Sequence, residues 1–271
     1  MTFDNDNNYF IIIVDEQLKE RNMALINLNI HSNEIAVSTP VTIVYPDLLL
    51  NEKDFNVLFL LHGYTGNNTD WVRYTSIEKL AIEHKVMVVM PSINNSYYTN
   101  MEHGYNYFNY YTEELPNIIS KMFKVTLRKE NTYITGLSMG GYGALKAALS
   151  KPDQYNGVAA FSGVLDITKA YVSDERKDRM FPIFGNKETY NKNKHEHDLF
   201  LLSNNLKNKD LNIYISCGTE DFLYQHNIDF HKHLKQNNIK HTYNELPGDH
   251  NWDFWGSEIK KALNFFFGAK K

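Results

Sequence analysis

The sequence predicts an α/β architecture, a mostly parallel sheet with helices on both faces. Two observations carry this. Strand candidates alternate with helical patterns along the chain, and most later strands are apolar throughout, as in a sheet buried on both faces. Composition adds a third: 271 residues at 42% hydrophobic supply ample material for a core.

The elements follow in order. From Met23 the stretch MALINLNI alternates, with Ile26, Leu28 and Ile30 on one face and Asn27 and Asn29 on the other, as in a half-buried strand. The next candidate, 35–45, contains Pro40 and is expected to be an edge or bent strand. Six more strands are expected at 57–61, 86–90, 132–135, 157–162, 212–217 and 241–246. Between them run the helical patterns SIEKLAIEH, YTEELPNIISKMF, MGGYGALKAALS and FLYQHNIDFHKHLKQ. TEELP reads as a helix start, since proline is tolerated in a first turn. A last helix places Trp255, Ile259, Leu263 and Phe266 at helical spacing. This βαβ order gives parallel strands, opened by two or three that are antiparallel. Residues 163–210 are charged, rich in asparagine and too long for an ordinary connection, so a cap-like insertion over one end of the sheet is expected. No internal repeat or linker divides the chain, so residues 23–271 are read as one domain and 1–22 as an N-terminal extension. Lys19 and Glu20 can be encoded by purine-rich codons resembling a ribosome-binding site, so translation is expected to start at Met23.

Composition also excludes partners. Twenty-eight basic against 32 acidic residues give a net charge of −4, and no basic stripe interleaves with aromatics, so nucleic acid is not an expected partner. NYFIIIVD is not read as an export signal, because acids precede its short apolar run and DEQLKERN follows it. No run approaches the ~20 apolar residues that span a bilayer. Cys217 is the single cysteine, which suits a reducing compartment, and a cytoplasmic location is expected. HEH at 195–197 and HKH at 231–233 read as solvated surface rather than metal ligands, since alternate histidines on a helix point apart. No metal or cofactor is expected. Self-association is left open.

The chemistry centres on TYITGLSMGGYGALKAAL, residues 132–149, where Gly136, Ser138 and Gly140 form GxSxG. The pattern alone recurs by chance in about one chain in ten or twenty of this length. Here it follows a strand and opens a helix. That context puts the serine Oγ on a sharp turn, clear of the backbone, where a side chain two residues before or after would clash. Gly141 and Gly143 are read as letting the helix pack close to the sheet.

A hydroxyl needs a base, and the base an orienting carboxylate. Both should follow in sequence, on loops at carboxyl ends of strands. Strand 212–217 runs into CGTEDFLY and strand 241–246 into PGDHNWDFW, offering Glu220 or Asp221 and then His250. Asp221 is preferred as the shorter acid just before the helix; Asp249 is read as a loop or capping residue. Oxyanion donors are expected from the backbone N–H groups of Tyr64 and Met139, with Gly63 letting the chain turn and His62 bracing the loop. Trp71, Tyr97, Tyr98 and Trp252 are candidates for the substrate-binding wall. Cys217, ending a buried strand, reads as packing.

LLHGYTGNNTDW, MPSINNSYYTN, EELP, GLSMGGYGALKAAL, CGTEDFLY and PGDHNWDFW, in this order, resemble the esterase D-like branch of the α/β-hydrolases, above all small bacterial tributyrin esterases and acetylesterases. The resemblance spans about residues 23–267. It implies the α/β-hydrolase fold and a cytoplasmic carboxylesterase for short acyl chains, with Ser138 as nucleophile, His250 as base and Asp221 as orienter. S-formylglutathione hydrolases, a related branch, usually carry histidine where this chain has Leu137, which argues against that substrate. Acyl transfer would use the same groups; a binding module without turnover is the competing reading.

Overall fold

The structure is a computed structural model that describes residues 23–52, 54–172, 177–207 and 209–268. The reading of residues 1–22 as an extension, and of Met23 as the start, lies outside the described residues.

Eight strands form one sheet: β1 (Met23–Ser32), β2 (Val37–Pro46), β3 (Asn56–Leu61), β4 (Val86–Pro91), β5 (Thr132–Leu137), β6 (Gly157–Phe161), β7 (Asn212–Gly218) and β8 (Thr242–Leu246). Their spatial order is β1-β2-β4-β3-β5-β6-β7-β8. β1 pairs antiparallel with β2 and β2 with β4, and every later pairing is parallel. β3 shows why the parallel part reads as a continuous apolar run. Val57, Phe59 and Leu61 enter the core on one face while Leu58 and Leu60 enter the core on the other. β1 covers only one face: Ile26 and Leu28 pack inward while Leu25 is 45% exposed.

Two readings of proline change. β2 is an interior strand, not an edge. Pro40 pairs with Asn29 of β1, but the ladder to β4 begins only at Val41, so the missing N–H falls where one neighbour has ended. TEELP does not start its helix. A turn at Tyr107–Asn109 and a π-helical turn at Tyr110–Glu114 precede the helix Leu115–Phe123. Pro116 cannot bond the carbonyl four residues back, and Gln154 Nε2 donates to that Thr112 oxygen instead at 2.8 Å.

Before the insertion come α1 (Asp70–Tyr74), α2 (Ile77–His84), α3 (Leu115–Phe123) and α4 (Met139–Ser150). The 163–210 segment is more regular than its composition suggests. It holds α5 (Ile167–Val172), α6 (Lys177–Phe184), α7 (Lys187–His197) and α8 (Leu199–Leu202). Asn186 and Asp198 cap the last two by accepting from the Thr189 and Phe200 amides. α9 (Tyr224–Gln236) and α10 (Trp252–Phe267) complete the chain. Among the described residues no helix is long and apolar enough to cross a membrane.

The histidine clusters are not uniformly solvated. His195 is exposed, but His197 is 5% exposed against the Phe184 ring, His231 Nδ1 meets His241 Nε2 at 2.8 Å, and His233 Nε2 meets Ser203 Oγ at 2.9 Å.

Candidate active site

The order of β3, β5, β6, β7 and β8 brings five carboxyl-terminal loops to one end of the sheet. Leu61 of β3 lies beside Gly136 of β5, so the segment after β3 must pass the turn that carries Ser138. That turn is sharp. Ser138 has φ 53° and ψ −117°, a conformation that costs a non-glycine residue about 1–3 kcal/mol and persists because its surroundings fix it. Its N–H donates to Phe161 O at 2.8 Å, and its carbonyl accepts from Val164 and Tyr142.

The two motif glycines are needed for close approach. A Cβ on Gly136 would enter the Gly140 backbone, and one on Gly140 would stand 2.6 Å from the carbonyl oxygens of Leu61 and His62. Of three other glycines, two act differently from the sequence reading. Gly63 is required by contact, since a Cβ would lie 2.6 Å from Leu137 Cδ1. Gly143 leaves room for the Tyr98 ring rather than for the sheet. Gly141 does face the end of β6, with Gly163 Cα at 3.1 Å from an added Cβ.

His250 connects the segments. Its Nε2 is 3.1 Å from Ser138 Oγ and its Nδ1 is 2.9 Å from Asp221 Oδ2. With Asp221 ionised, Nδ1–H donates to the carboxylate, which leaves the Nε2 lone pair for the serine proton. Burial alone would raise the Asp221 pKa. Hydrogen bonds from His250, from the Ser162 hydroxyl and from the Leu223 amide outweigh it, and the carboxyl lies below its ordinary range.

Asp249 accepts from the His250 amide at 2.7 Å, the loop role expected of it. Glu220 is exposed and accepts from the Gly248 amide and from Thr219 Oγ1. It thereby ties the acid loop to the histidine loop, as do Glu220 N–H to Gly248 O at 3.0 Å and Thr219 N–H to Leu246 O at 2.9 Å. A Cβ on Gly218 would collide with the Gly248 carbonyl, so these loops touch backbone to backbone.

His62 braces its loop as expected. Nε2 accepts from the Ile93 amide at 3.0 Å, so Nδ1 carries the proton and donates to Gly63 O at 2.7 Å. Burial holds its pKa down to about 4, keeping the ring neutral. The Met139 amide opens α4 and is one of the N–H groups a helix start leaves without an intrahelical acceptor. Neither it nor the Tyr64 amide donates, among the described residues, to a carbonyl outside its own element.

Two cavities meet at Ser138 and His250. One, of about 190 Å³, is lined by Tyr64, Tyr97, Val164, Met180, Phe222 and Leu223, with the Arg179 guanidinium beside them. The second, of about 520 Å³, is more open and polar, with Asn67, Asp70, Arg73, Tyr74 and Trp252 along it. Tyr97 and Trp252 therefore line space beside the serine. Trp71 and Tyr98 do not. Trp71 is 1% exposed with its indole N–H on Leu61 O at 3.1 Å, and the fully buried Tyr98 hydroxyl donates to His62 O at 2.8 Å. Both are core residues that support the loop after β3. Sequence reasoning missed Val164, Arg179 and Met180, which the insertion brings over the serine, and Phe222, whose ring lies 4.5 Å from that of His250. Phe222 was within reach as the neighbour of a candidate acid; α6 offered no signal.

Fold and site together define a serine hydrolase architecture of the α/β-hydrolase type. The chain belongs to the esterase family: the family model described as "Putative esterase" matches residues 32–266. An acetyl esterase of Caldicellulosiruptor saccharolyticus is 31% identical over 265 residues, covering 90% of this chain and 98% of the relative. Among solved structures, the substrate-bound fluorophosphonate-binding serine hydrolase F of Staphylococcus aureus is similar at TM-score 0.83. Its identity is 32%, with 91% of this chain and 99% of that one covered. The S-formylglutathione hydrolase of the same organism is similar at TM-score 0.79 and 33% identity, with 90% and 99% covered. The protein is accordingly a carboxylic ester hydrolase.

Proposed function

We propose that the protein hydrolyses short-chain carboxylic esters, acetyl to butyryl, through an acyl-enzyme on Ser138, with His250 as base and Asp221 as orienter. The observation that carries this is the His250 ring, within hydrogen-bond distance of both the Ser138 hydroxyl and the Asp221 carboxylate. As His250 Nε2 takes the Oγ proton, Oγ attacks the ester carbonyl. The imidazolium is stabilised by the buried carboxylate and then protonates the departing alcohol. The amides of Tyr64 and Met139 are the donors for the tetrahedral oxyanion, each worth about 2.7–4 kcal/mol in such sites. Water, deprotonated by His250, attacks the acyl-enzyme and releases the acid.

The cavity of about 190 Å³ supports a short acyl group, and the open cavity opposite suits the alcohol, with Tyr97 and Trp252 as wall residues of the two. The substrate is read as a small-molecule ester, tributyrin and acetylated carbohydrates among the candidates, and the location as cytoplasmic. A thioester reading is favoured by the S-formylglutathione hydrolase similarity; Leu137, where that branch usually has histidine, weighs against it.

The test is hydrolysis of p-nitrophenyl esters of increasing chain length by wild type and Ser138→Ala, with S-formylglutathione alongside. The proposal expects activity that falls steeply beyond butyryl and is lost in Ser138→Ala. Equal rates for the two proteins would refute the nucleophile assignment.

A further inference from the structure

Ser162 directly follows β6, the strand between the one that leads to Ser138 and the one that leads to Asp221. It is fully buried and has φ 48°, in the left-handed region that serine rarely enters. Its N–H donates to Ser216 O of β7 at 2.8 Å, so the backbone is fixed on the sheet and the unusual φ determines where Oγ points. That hydroxyl meets two groups of interest. The Trp255 indole N–H reaches it at 3.1 Å, and the Asp221 carboxylate lies near enough for the hydroxyl to help hold its pKa down. An indole N–H only donates, so Ser162 Oγ accepts from it. The single hydroxyl proton can then be shared only with the carboxylate or with the Cys217 sulfur, and sulfur is much the weaker acceptor. The Cys217 thiol also lies against Ser162, but burial and the Asp221 charge push its pKa up, so it stays neutral and adds no charge there.

Trp255 has a second contact. Its ring stands edge-on to His250, centroids 4.9 Å apart at 90°. It sits in the first turns of α10, whose N-cap Asn251 directly follows His250. Anchoring the indole to Ser162 therefore ties the start of α10, and with it the imidazole, to the centre of the sheet.

We propose that Ser162 and Trp255 form a positioning pair that orients both the acid and the base: the indole directs the Ser162 proton onto Asp221 while its ring walls His250. This rests on the triad reading above. It assigns a mechanistic reason to a strained serine that the GxSxG motif does not explain.

The experiment is steady-state kinetics and the pH dependence of kcat/KM for Ser162→Ala, Trp255→Phe and the double variant, with Ser138→Ala as reference. Trp255→Phe keeps a ring but frees the hydroxyl to rotate. Ser162→Ala is expected to lower kcat roughly tenfold with KM little changed, because one hydrogen bond to a charged group is lost. The acid limb of the profile should move up by roughly half a pH unit, since an Asp221 carboxylate with one donor fewer favours positive charge beside it more strongly. The double variant should be no slower than Ser162→Ala, because the indole acts through the hydroxyl.

A Ser162→Ala enzyme with wild-type kcat and an unmoved acid limb would overturn the proposal, as would effects of the two substitutions that multiply. Thermal melts of each variant separate a folding defect from a catalytic one; Trp255→Phe and the NMR resonance of the His250 Nδ1–H, expected to shift in either single variant, provide the readout if Ser162→Ala is unstable. If Ser138→Ala retains activity the triad reading fails; if Ser138→Ala is inactive while the pair is silent, only this inference fails.

Discussion

Gly140→Ala places one methyl group where the nucleophile turn meets the loop after β3. The added carbon would lie 2.6 Å from the carbonyl oxygens of Leu61 and His62, against 3.4 Å at the near edge of ordinary contact, so helix α4 and the end of β3 must separate by about 0.8 Å. Both neighbours are backbone, with no side-chain rotamer to relieve the clash. Overpacking of this kind costs about 1–3 kcal/mol, offset in part by up to about 1 kcal/mol of helix propensity gained over glycine. Catalysis should suffer more than stability. The Tyr64 amide follows His62 by two residues and the Met139 amide precedes Gly140 by one, so the displacement opens the donor pair itself. A misplacement near 1 Å costs on the order of 10²-fold in rate. Gly256→Ala is the control: it lies inside α10, and the nearest atom to its added Cβ is Thr75 Cγ2 at 3.8 Å, so it should gain about 0.4–1 kcal/mol. Urea denaturation and p-nitrophenyl acetate kinetics on both variants decide the matter. Wild-type kcat in Gly140→Ala, or a destabilised Gly256→Ala, would refute the packing argument.

Further outcomes are expected elsewhere. Asp221→Asn should keep the fold but lower kcat by about 10⁴, because the amide cannot hold the Nδ1–H tautomer; steady-state kinetics beside a circular-dichroism spectrum check this. Lys146 is buried on α4, its Nζ donating to Thr99 Oγ1 at 2.6 Å, and burial lowers its pKa to about 7. Between pH 7 and about 10.5 the unfolded chain binds the extra proton, so stability rises with pH there. Lys146→Met should be at least as stable as wild type at pH 7 and lose that slope in urea melts. His62, with its pKa near 4, favours the fold above about pH 6.5 and loses that contribution as pH falls through 4, on the order of 3 kcal/mol. His62→Gln, which can still accept from the Ile93 amide, should flatten the acid side of the stability profile.

What the sequence revealed depended on how local the cause was. Every strand of the parallel core was legible because residues such as Val57 to Leu61 are apolar on both faces; Ser138 was marked by GxSxG between strand and helix, and Asp221 and His250 by the strand ends that follow it. Gly136 could be explained from the motif, since it crowds the Gly140 backbone of its own turn, and Gly140 was marked by the same motif although the carbonyls it avoids belong to Leu61 and His62. Gly63 and Gly143 could not, because the atoms they avoid, on Leu137 and Tyr98, arrive from distant segments. The same limit separated Trp71 and Tyr98 from Tyr97 and Trp252: aromatic character says nothing of whether a backbone carbonyl claims the polar tip. Pro40 misled because a proline marks a missing donor, and an interior strand can lose a partner on one side just there. In the insertion, short helices carry too few turns for an apolar period to stand out, so Met180 and Arg179 were hidden until the chain was folded.

The most direct measurement is covalent. A fluorophosphonate reagent should modify wild-type protein once, with the added mass on the peptide containing Ser138, and labelling should fall by orders of magnitude in His250→Gln and vanish in Ser138→Ala. Adduct mapped to another residue, or undiminished labelling when the imidazole is gone, would contradict the claim that His250 activates Ser138.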